Sequence, residues 1–236
     1  MIVRDEEHSL SACLESVKGF VDEIIVLDTG SVDNTVEIAK SFGAEVAFFP
    51  WTGDFVPARN KALGLVKGDW VLVLDADEQL RRESIDPLKE IMSMEEVLLV
   101  NLLRYERGSS ISPYSSVSRL FRRHSNIYWS RPYHSMVDDS VQEILIKEPF
   151  WKVVNCLEPA LIHDGYQTKF LKDGSKAMRL RNAMESFLIE HPGDPYASSK
   201  LGALEISGGD VEKGLMIIRN GLASLDQEGS CEKINE

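Results

Sequence analysis

Trp70-Val71-Leu72-Val73-Leu74-Asp75-Ala76-Asp77-Glu78 is an apolar run without polar alternation that ends in two carboxylates separated by a single alanine. Such a run suits a strand buried on both faces, as in the sheet of an α/β protein. Asp75 and Asp77 then fall at its carboxyl edge, where open α/β sheets bind their ligands. Side chains at i and i+2 of an extended segment point the same way, so both acids can reach one bound group. Two like charges that close oppose each other's ionisation unless a cation compensates them. An oxygen-only pair suits Mg²⁺ or Mn²⁺ carrying substrate phosphates.

Upstream, Glu23-Ile24-Ile25-Val26-Leu27-Asp28 is a second buried strand ending in an acid, with a turn at Thr29-Gly30-Ser31. Asp28 could serve a ligand or simply cap that turn through side-chain bonds to the backbone. Asp33 is placed to cap a helix from Asn34 to Phe42 that stops at Gly43, and a strand resumes over Glu45 to Phe49. A further helix is predicted after Pro57, from Ala58 to about Val66, with Arg59 in its first turn. Its neighbours Asn60 and Lys61 make that turn cationic, against the helix dipole, and a nearby phosphate would account for it. The βα alternation with right-handed crossovers predicts Asp28, Asp75 and Asp77 along one edge of one sheet. Strand-like pieces follow at Val97 to Leu103, Val117 to Phe121 and Ala160 to His163, and the pattern is helical from Thr168 onward.

The chain's 236 residues can bury a full core, with one main domain and a smaller appendage as the length expectation. Thirty-eight acidic against 26 basic residues give a net charge of −12, which opposes general binding to nucleic acid or to an anionic membrane surface. Cys13, Cys156 and Cys231 are far apart and odd in number, without paired metal-ligand spacing, and read as reduced thiols of a cytoplasmic protein. No charged-then-apolar leader opens the chain, and no apolar stretch approaches the roughly 18 residues of a membrane helix, so the expectation is a soluble protein.

Four segments carry a resemblance: Met1-Ile2-Val3-Arg4-Asp5-Glu6-Glu7, Val26-Leu27-Asp28-Thr29-Gly30-Ser31-Val32-Asp33, Ala58-Arg59-Asn60 and Asp75-Ala76-Asp77-Glu78. In order and spacing they resemble a family 2 glycosyltransferase of the GT-A fold over about residues 1 to 165. The resemblance implies an α/β, Rossmann-like, mostly parallel sheet flanked by helices over 1–165, and a small all-helical C-terminal extension over 166–236. It implies an inverting, metal-dependent enzyme that moves a sugar from a nucleotide-diphosphate donor, by family habit UDP-linked, to an acceptor hydroxyl. By the same resemblance Asp28 faces the nucleotide, Arg59 lies near its phosphates and Asp75 lies near the ribose. Asp77 holds the divalent ion, Mn²⁺ or Mg²⁺, and His163 resembles a late histidine that completes the metal site. Relatives begin with several more apolar residues, so the first strand is expected to be reduced to about three residues and nucleotide binding to be weakened.

Displacing a nucleoside diphosphate builds negative charge on the leaving phosphate, which a divalent ion stabilises, while a base takes the acceptor's proton. Asp138 and Asp139 are the candidate bases. They lie in Pro132-Tyr133-His134-Ser135-Met136-Val137-Asp138-Asp139, where Ser135 replaces the Glu of a His-Glu pair often carried by related transferases. If Val137 points to the core in an extended segment, Asp138 faces the cleft and Asp139 turns back; Glu143 is the fallback. Trp51, Tyr114, Trp129 and Tyr133 could stack on sugar rings, although aromatic residues are more often core.

Two other enzyme classes share letters with this chain. Leu27-Asp28-Thr29-Gly30-Ser31 matches an aspartic protease loop, but a helix follows at once where that class needs an all-β frame and a second such Asp. Leu74-Asp75-Ala76-Asp77 resembles the nucleophile strand of haloacid dehalogenase-type phosphatases, except that Gln79 stands where Thr or Val is wanted. A Mg-dependent phosphotransferase with Asp75 as nucleophile is therefore the runner-up. From a different class comes a binding scaffold. Residues 195 to 225, with Leu201, Gly202, Gly209, Gly214, Ile218 and Gly221, resemble one tetratricopeptide (TPR) repeat. Glu205 takes an expected aromatic position, and Gly214 and Gly221 replace alanines. One repeat cannot bury its own face, so it should pack on the helix expected from Thr168 to Glu190 or belong to a longer array cut short here, and offer a surface to a protein partner or to the acceptor.

Overall fold

A computed structural model describes residues 1–109, 112–131, 135–164 and 175–232. The chain divides into two compact units, one of Met1–Ser130 with Ser135–Leu171 and one of Arg131–His134 with Lys172–Glu236. The first unit begins β1 (Ile2–Val3), α1 (Leu10–Ser16), β2 (Ile25–Asp28), α2 (Thr35–Ser41), β3 (Glu45–Phe48), and its three strands pair in parallel in the order β1-β2-β3. It continues through α3 (Phe55–Leu63), β4 (Trp70–Leu72), β5 (Glu78–Leu80), a 3₁₀ turn at Arg82–Ser84, α4 (Ile85–Met92), β6 (Val97–Glu106), β7 (Tyr114–Arg122), α5 (Asp138–Lys147) and β8 (Lys152–His163). These later strands form a second sheet ordered β4-β7-β6-β8-β5.

The architecture is α/β with flanking helices, and the second sheet is mixed. In it only β6 and β8 run parallel. The reason is local: β6 and β7 are consecutive and joined by a short connection, and hairpin neighbours must run antiparallel. Asp28 therefore ends a strand of one sheet, while Asp75 and Asp77 follow a strand of the other, which corrects the expectation of a single edge. The run from Trp70 does not stay extended to Glu78 either. Beyond β4 the chain turns, with the Glu78 amide donating to the Asp75 carbonyl at 3.0 Å and the Asp75 amide donating to the Glu78 carboxylate at 2.9 Å. That turn redirects the backbone so that β5 pairs with β8. It also means that Asp75 and Asp77 are related by a turn and not by strand alternation.

Helix α3 starts at Phe55, three residues before the expected Ala58. Asp54 caps it by accepting from the Val56 amide at 2.8 Å, and Pro57 fits the first turn, where no intrahelical donor is needed. Arg59 consequently lies one turn into the helix, so the argument from a cationic N-terminus does not apply. Strand β6 is the centre of the core. Leu98, Leu99, Val100 and Leu102 are all buried, with Cys13, Val17 and Leu88 packed in one cluster and Val137, Val141 and Ile144 of α5 in another. A strand covered on both sides explains why its sequence shows no alternation.

The second unit holds α6 (Ser175–Glu190), α7 (Pro195–Ser207) and α8 (Val211–Glu232); the expected start at Thr168 lies outside the described residues. Asp194 caps α7 through the Ala197 amide at 2.7 Å, Pro195 occupies its first turn, and Gly209 at φ 98° makes the corner into α8. Glu205 is buried, with Lys213 at 2.9 Å and Arg181 paired to the same oxygen, which is how a charge is tolerated where the repeat pattern wants an aromatic ring. Helices α7 and α8 cross almost backbone to backbone. A Cβ on Gly202 would lie 2.5 Å from Ile218 Cγ1 and 2.7 Å from the Gly214 carbonyl oxygen, and one on Gly214 would lie 2.6 Å from the Gly202 carbonyl oxygen. Alanine would raise helix propensity by about 1 kcal/mol, but overpacking costs about 1–3 kcal/mol. Gly202→Ala is therefore expected to destabilise this unit in urea unfolding followed by circular dichroism, and a raised midpoint would contradict the close crossing. Among the described residues no helix is long and apolar enough to cross a membrane.

Candidate active site

Strand register gathers a line of charged side chains at one end of the second sheet. The β5–β8 pairing sets Glu78 opposite His163, the β6–β8 pairing sets Glu106 opposite the same histidine, and the β6–β7 hairpin sets Arg104 opposite Ser115. From these neighbours an alternating chain forms. Arg59 Nη2 donates to Asp75 Oδ1 at 2.9 Å, and Arg119 Nη2 donates to Asp75 Oδ2 at 2.7 Å. Arg119 also lies 3.8 Å from Glu78, whose Oε1 accepts from Arg104 Nη1 at 2.5 Å. Arg104 continues to Glu106 at 2.8 Å. Glu106 Oε2 meets His163 Nδ1 at 2.5 Å, and His163 Nε2 meets Asp77 Oδ2 at 3.2 Å.

The electrostatics follow from burial and pairing. Burial by itself would raise the Asp75 pKa, but Arg119 and Arg59 outweigh it and hold the carboxyl well below the usual carboxylate range. Burial depresses the Arg59 guanidinium to about 10 despite Asp75. For His163, burial lowers the pKa while hydrogen bonding to Asp77 and Glu106 raises it, and the net direction is up. Glu106 is lowered: desolvation works against this, but Ser115, His163 and Arg104 together prevail.

The structure thus brings together Arg59, Asp75, Asp77 and His163 among the residues singled out from sequence. Arg59, however, is turned inward. Its side chain is 10% exposed, it lies against the Trp129 ring with 4.5 Å from Cζ to the centroid, and its Nε and Nη1 are buried without a hydrogen-bond partner. Its role in this arrangement is to anchor Asp75. Asn60 beside it clamps the Trp129 backbone, donating to its carbonyl at 3.0 Å and accepting from its amide at 2.8 Å. Asp28 is occupied by its turn, accepting from the Gly30 amide at 3.0 Å and the Ser31 amide at 3.2 Å, with Gly30 at φ 110°. These are the side-chain-to-backbone bonds of a turn cap.

The candidate bases also sit differently from the expectation. Asp138 and Asp139 open helix α5, so alternation along an extended segment cannot distinguish them. Asp138 is exposed and accepts from Ser118 Oγ at 2.7 Å, next to Arg119 in β7, whereas Asp139 is partly buried and accepts from Ser130 Oγ at 2.5 Å. Glu143 accepts from the Tyr128 hydroxyl at 3.2 Å. Of the aromatic candidates, Trp129 is core at 3% exposure, Trp51 packs on Phe55, Tyr114 is exposed against Tyr105, and Tyr133 lies outside the described residues.

Sequence reading missed Glu78, Arg104, Glu106 and Arg119. A signal was available for two of them, since Arg104 and Glu106 lie at i and i+2 at the end of a mostly apolar strand, a placement that requires partners when the strand is buried. A cavity of about 290 Å³ bounded by Ile25, Trp70, Leu72 and Trp129 reaches Arg59 but is not lined by Asp75, Asp77 or His163.

Whether these side chains suit a divalent ion is a geometric question. Two adjacent ligands of an octahedral ion at about 2.1 Å stand about 3.0 Å apart, and Asp77 Oδ2 and His163 Nε2 are separated by 3.2 Å. Both are about a sixth to a third exposed, at 34% and 16%, so a ligand can approach. Among the described residues no group of three or more His, Cys, Asp or Glu is arranged to hold a metal. A two-ligand site suits an ion whose remaining positions go to water and substrate phosphates.

An α/β frame of two sheets with this acidic turn at a strand end has the architecture of the GT-A fold. The chain belongs to glycosyl transferase family 2, whose family model matches residues 1–153. It is 43% identical over 222 residues to a TPR repeat-containing protein of Synechococcus elongatus, covering 94% of this chain and 55% of that one. It is 29% identical over 199 residues to glycosyltransferase SunS of Bacillus phage SPbeta, covering 83% of this chain and 46% of that one. The chain thus spans about half the length of these two relatives. Among solved structures it resembles S. aureus TarS 1–349, with TM-score 0.53, 13% identity and coverage of 87% of this chain and 70% of that one. It also resembles glucosyl-3-phosphoglycerate synthase from Mycobacterium tuberculosis in complex with Mn²⁺, UDP and phosphoglyceric acid, with TM-score 0.53, 20% identity and coverage of 79% and 75%.

Proposed function

We propose that this chain is an inverting glycosyltransferase that takes a sugar from a UDP-linked donor with the help of Mn²⁺ or Mg²⁺ held by Asp77 and His163. The observation that carries this is the 3.2 Å approach of Asp77 Oδ2 to His163 Nε2, made by residues 86 apart in sequence. The solved relative bound to Mn²⁺ and UDP supports the choice of ion and nucleotide. When bound, the ion would stabilise the charge that develops on the departing diphosphate. The protein's own part is to fix the ligands: Asp75, placed near the ribose in this reading, is held in one orientation by Arg59 and Arg119, and Arg104 holds Glu78 and Glu106 behind it. A thermal-shift panel of nucleotide sugars with and without Mn²⁺ tests the reading, and stabilisation by UDP-sugars only in the presence of the ion is expected.

Asp138 is the better-placed base, because a base needs an accessible carboxylate and Asp139 is tied to Ser130. Asp138→Asn should lose on the order of 10²-fold in turnover with UDP affinity preserved, while Asp139→Asn keeps most of it. Steady-state rates at saturating donor and acceptor decide between them, and equal rates would send the search to Glu143. The phosphotransferase alternative is disfavoured by Asp75 itself, whose two oxygens are both engaged by arginines, so beryllofluoride should trap no aspartyl adduct. We assign the transferase to residues 1–165 and a helical extension to 166–236 with one TPR-like repeat at about 195–225, a reading supported by the name of the Synechococcus relative. The extension would offer a protein partner or the acceptor a docking surface.

A further inference from the structure

We propose that Glu106 is a positioning residue that fixes the orientation and tautomer of His163 so that Nε2 presents its lone pair beside Asp77. The proposal rests on the assignment of Asp77 and His163 to the metal. A histidine ligand must be neutral and must keep the proton on the nitrogen away from the ion, and the partner of that second nitrogen decides which tautomer is held. Here the partner is Glu106 Oε2, 2.5 Å from His163 Nδ1.

Glu106 is equipped for that task. It is 4% exposed, so water cannot satisfy its carboxylate. Its other oxygen accepts from Arg104 Nε at 2.8 Å and from the Ser115 hydroxyl, which leaves Oε2 aimed at the histidine. Arg104 is held in turn by Glu78, which is fully buried at the start of β5, directly across from His163 in the β5–β8 ladder. A proton on Nε2 would face Asp77 at 3.2 Å, but it would set the Nδ1 lone pair 2.5 Å from Glu106 Oε2 and strip that oxygen of its donor where water cannot replace it. Asp77, by contrast, is 34% exposed and water can serve it, so the Nδ1 proton is the favoured arrangement. The β6–β8 register sets Glu106 opposite His163 in the backbone as well, so the contact does not depend on a mobile side chain.

Mn²⁺ titrations in the presence of UDP, read by the electron paramagnetic resonance signal of the free ion, test this without any turnover measurement. Glu106→Gln should weaken Mn²⁺ binding by about 10–100-fold, and His163→Ala by at least as much. In the double variant the loss should be no greater than in His163→Ala alone, because Glu106 acts only through the histidine. Full additivity, or unchanged affinity in Glu106→Gln, overturns the proposal while leaving the metal assignment standing. Wild-type affinity in His163→Ala removes the metal assignment and the proposal with it. A measurement on the unmodified protein covers the case in which Glu106→Gln does not fold. In metal-free wild type above the titration of His163, ¹⁵N imidazole shifts should report the proton on Nδ1, and a proton on Nε2 refutes the positioning role.

Discussion

Asp77→Ala is expected to abolish Mn²⁺-dependent UDP binding and to lower sugar transfer by on the order of 10³-fold, since a Lewis acid at the leaving phosphate contributes several kcal/mol. The fold should survive. The Asp77 side chain is 34% exposed and meets His163, and that histidine keeps its bond to Glu106 when Asp77 is gone. Removing one of several neighbouring acids also relieves repulsion in the metal-free protein. Isothermal titration of UDP with and without Mn²⁺, paired with a melting curve, checks both halves. A variant that still binds UDP more tightly with Mn²⁺ than without would show that the ion is held elsewhere.

Arg104→Met carries the second large effect, and it falls on stability. Arg104 stands between Glu78, which is fully buried, and Glu106, which is 4% exposed, with separations of 2.5 and 2.8 Å. Methionine keeps much of the side-chain volume but leaves two buried acids without their shared cation. Breaking a buried ion pair from one side costs about 3–5 kcal/mol. For a unit of this size that corresponds to a melting temperature lower by on the order of 10 °C. Arg104→Lys should recover part of the loss, since it restores the charge without the planar fork that reaches both carboxylates. Urea unfolding followed by tryptophan fluorescence measures it, and a cost under about 1 kcal/mol would mean that Glu78 and Glu106 take up protons or water in place of the arginine.

Asp75 and Asp77 announced themselves because two acids closing an apolar run have few structural reasons to be there, whereas His163 stood out only through the family resemblance. Arg119 gave no such sign, since a lone arginine in Ser118-Arg119-Leu120 reads as a solvated edge. Its meaning comes from β7 lying beside β4, which brings its guanidinium to 2.7 Å from Asp75. Asp138 shows the opposite failure: alternation gave it a direction, but a helix begins at that residue and the period changes from two to 3.6. For Arg59 propensity placed the helix start at Ala58, whereas the cap at Asp54 sets this arginine one turn further in, and its guanidinium reaches Asp75 at 2.9 Å.

The amino-acid order by itself determined the α/β class, the helical character of the C-terminal third, and the acidic pair that closes an apolar run. Each of these is written in local terms, as hydrophobic period, turn residues and charge at a strand end, and local terms need no knowledge of what lies opposite. Only the tertiary structure decided that the second sheet is mixed, that Asp28 serves its own turn, and that Glu106 stands behind His163. Those facts depend on strand order and register between segments as far apart as Glu78 and His163, and a register is fixed by how whole faces pack, a quantity that no single segment contains.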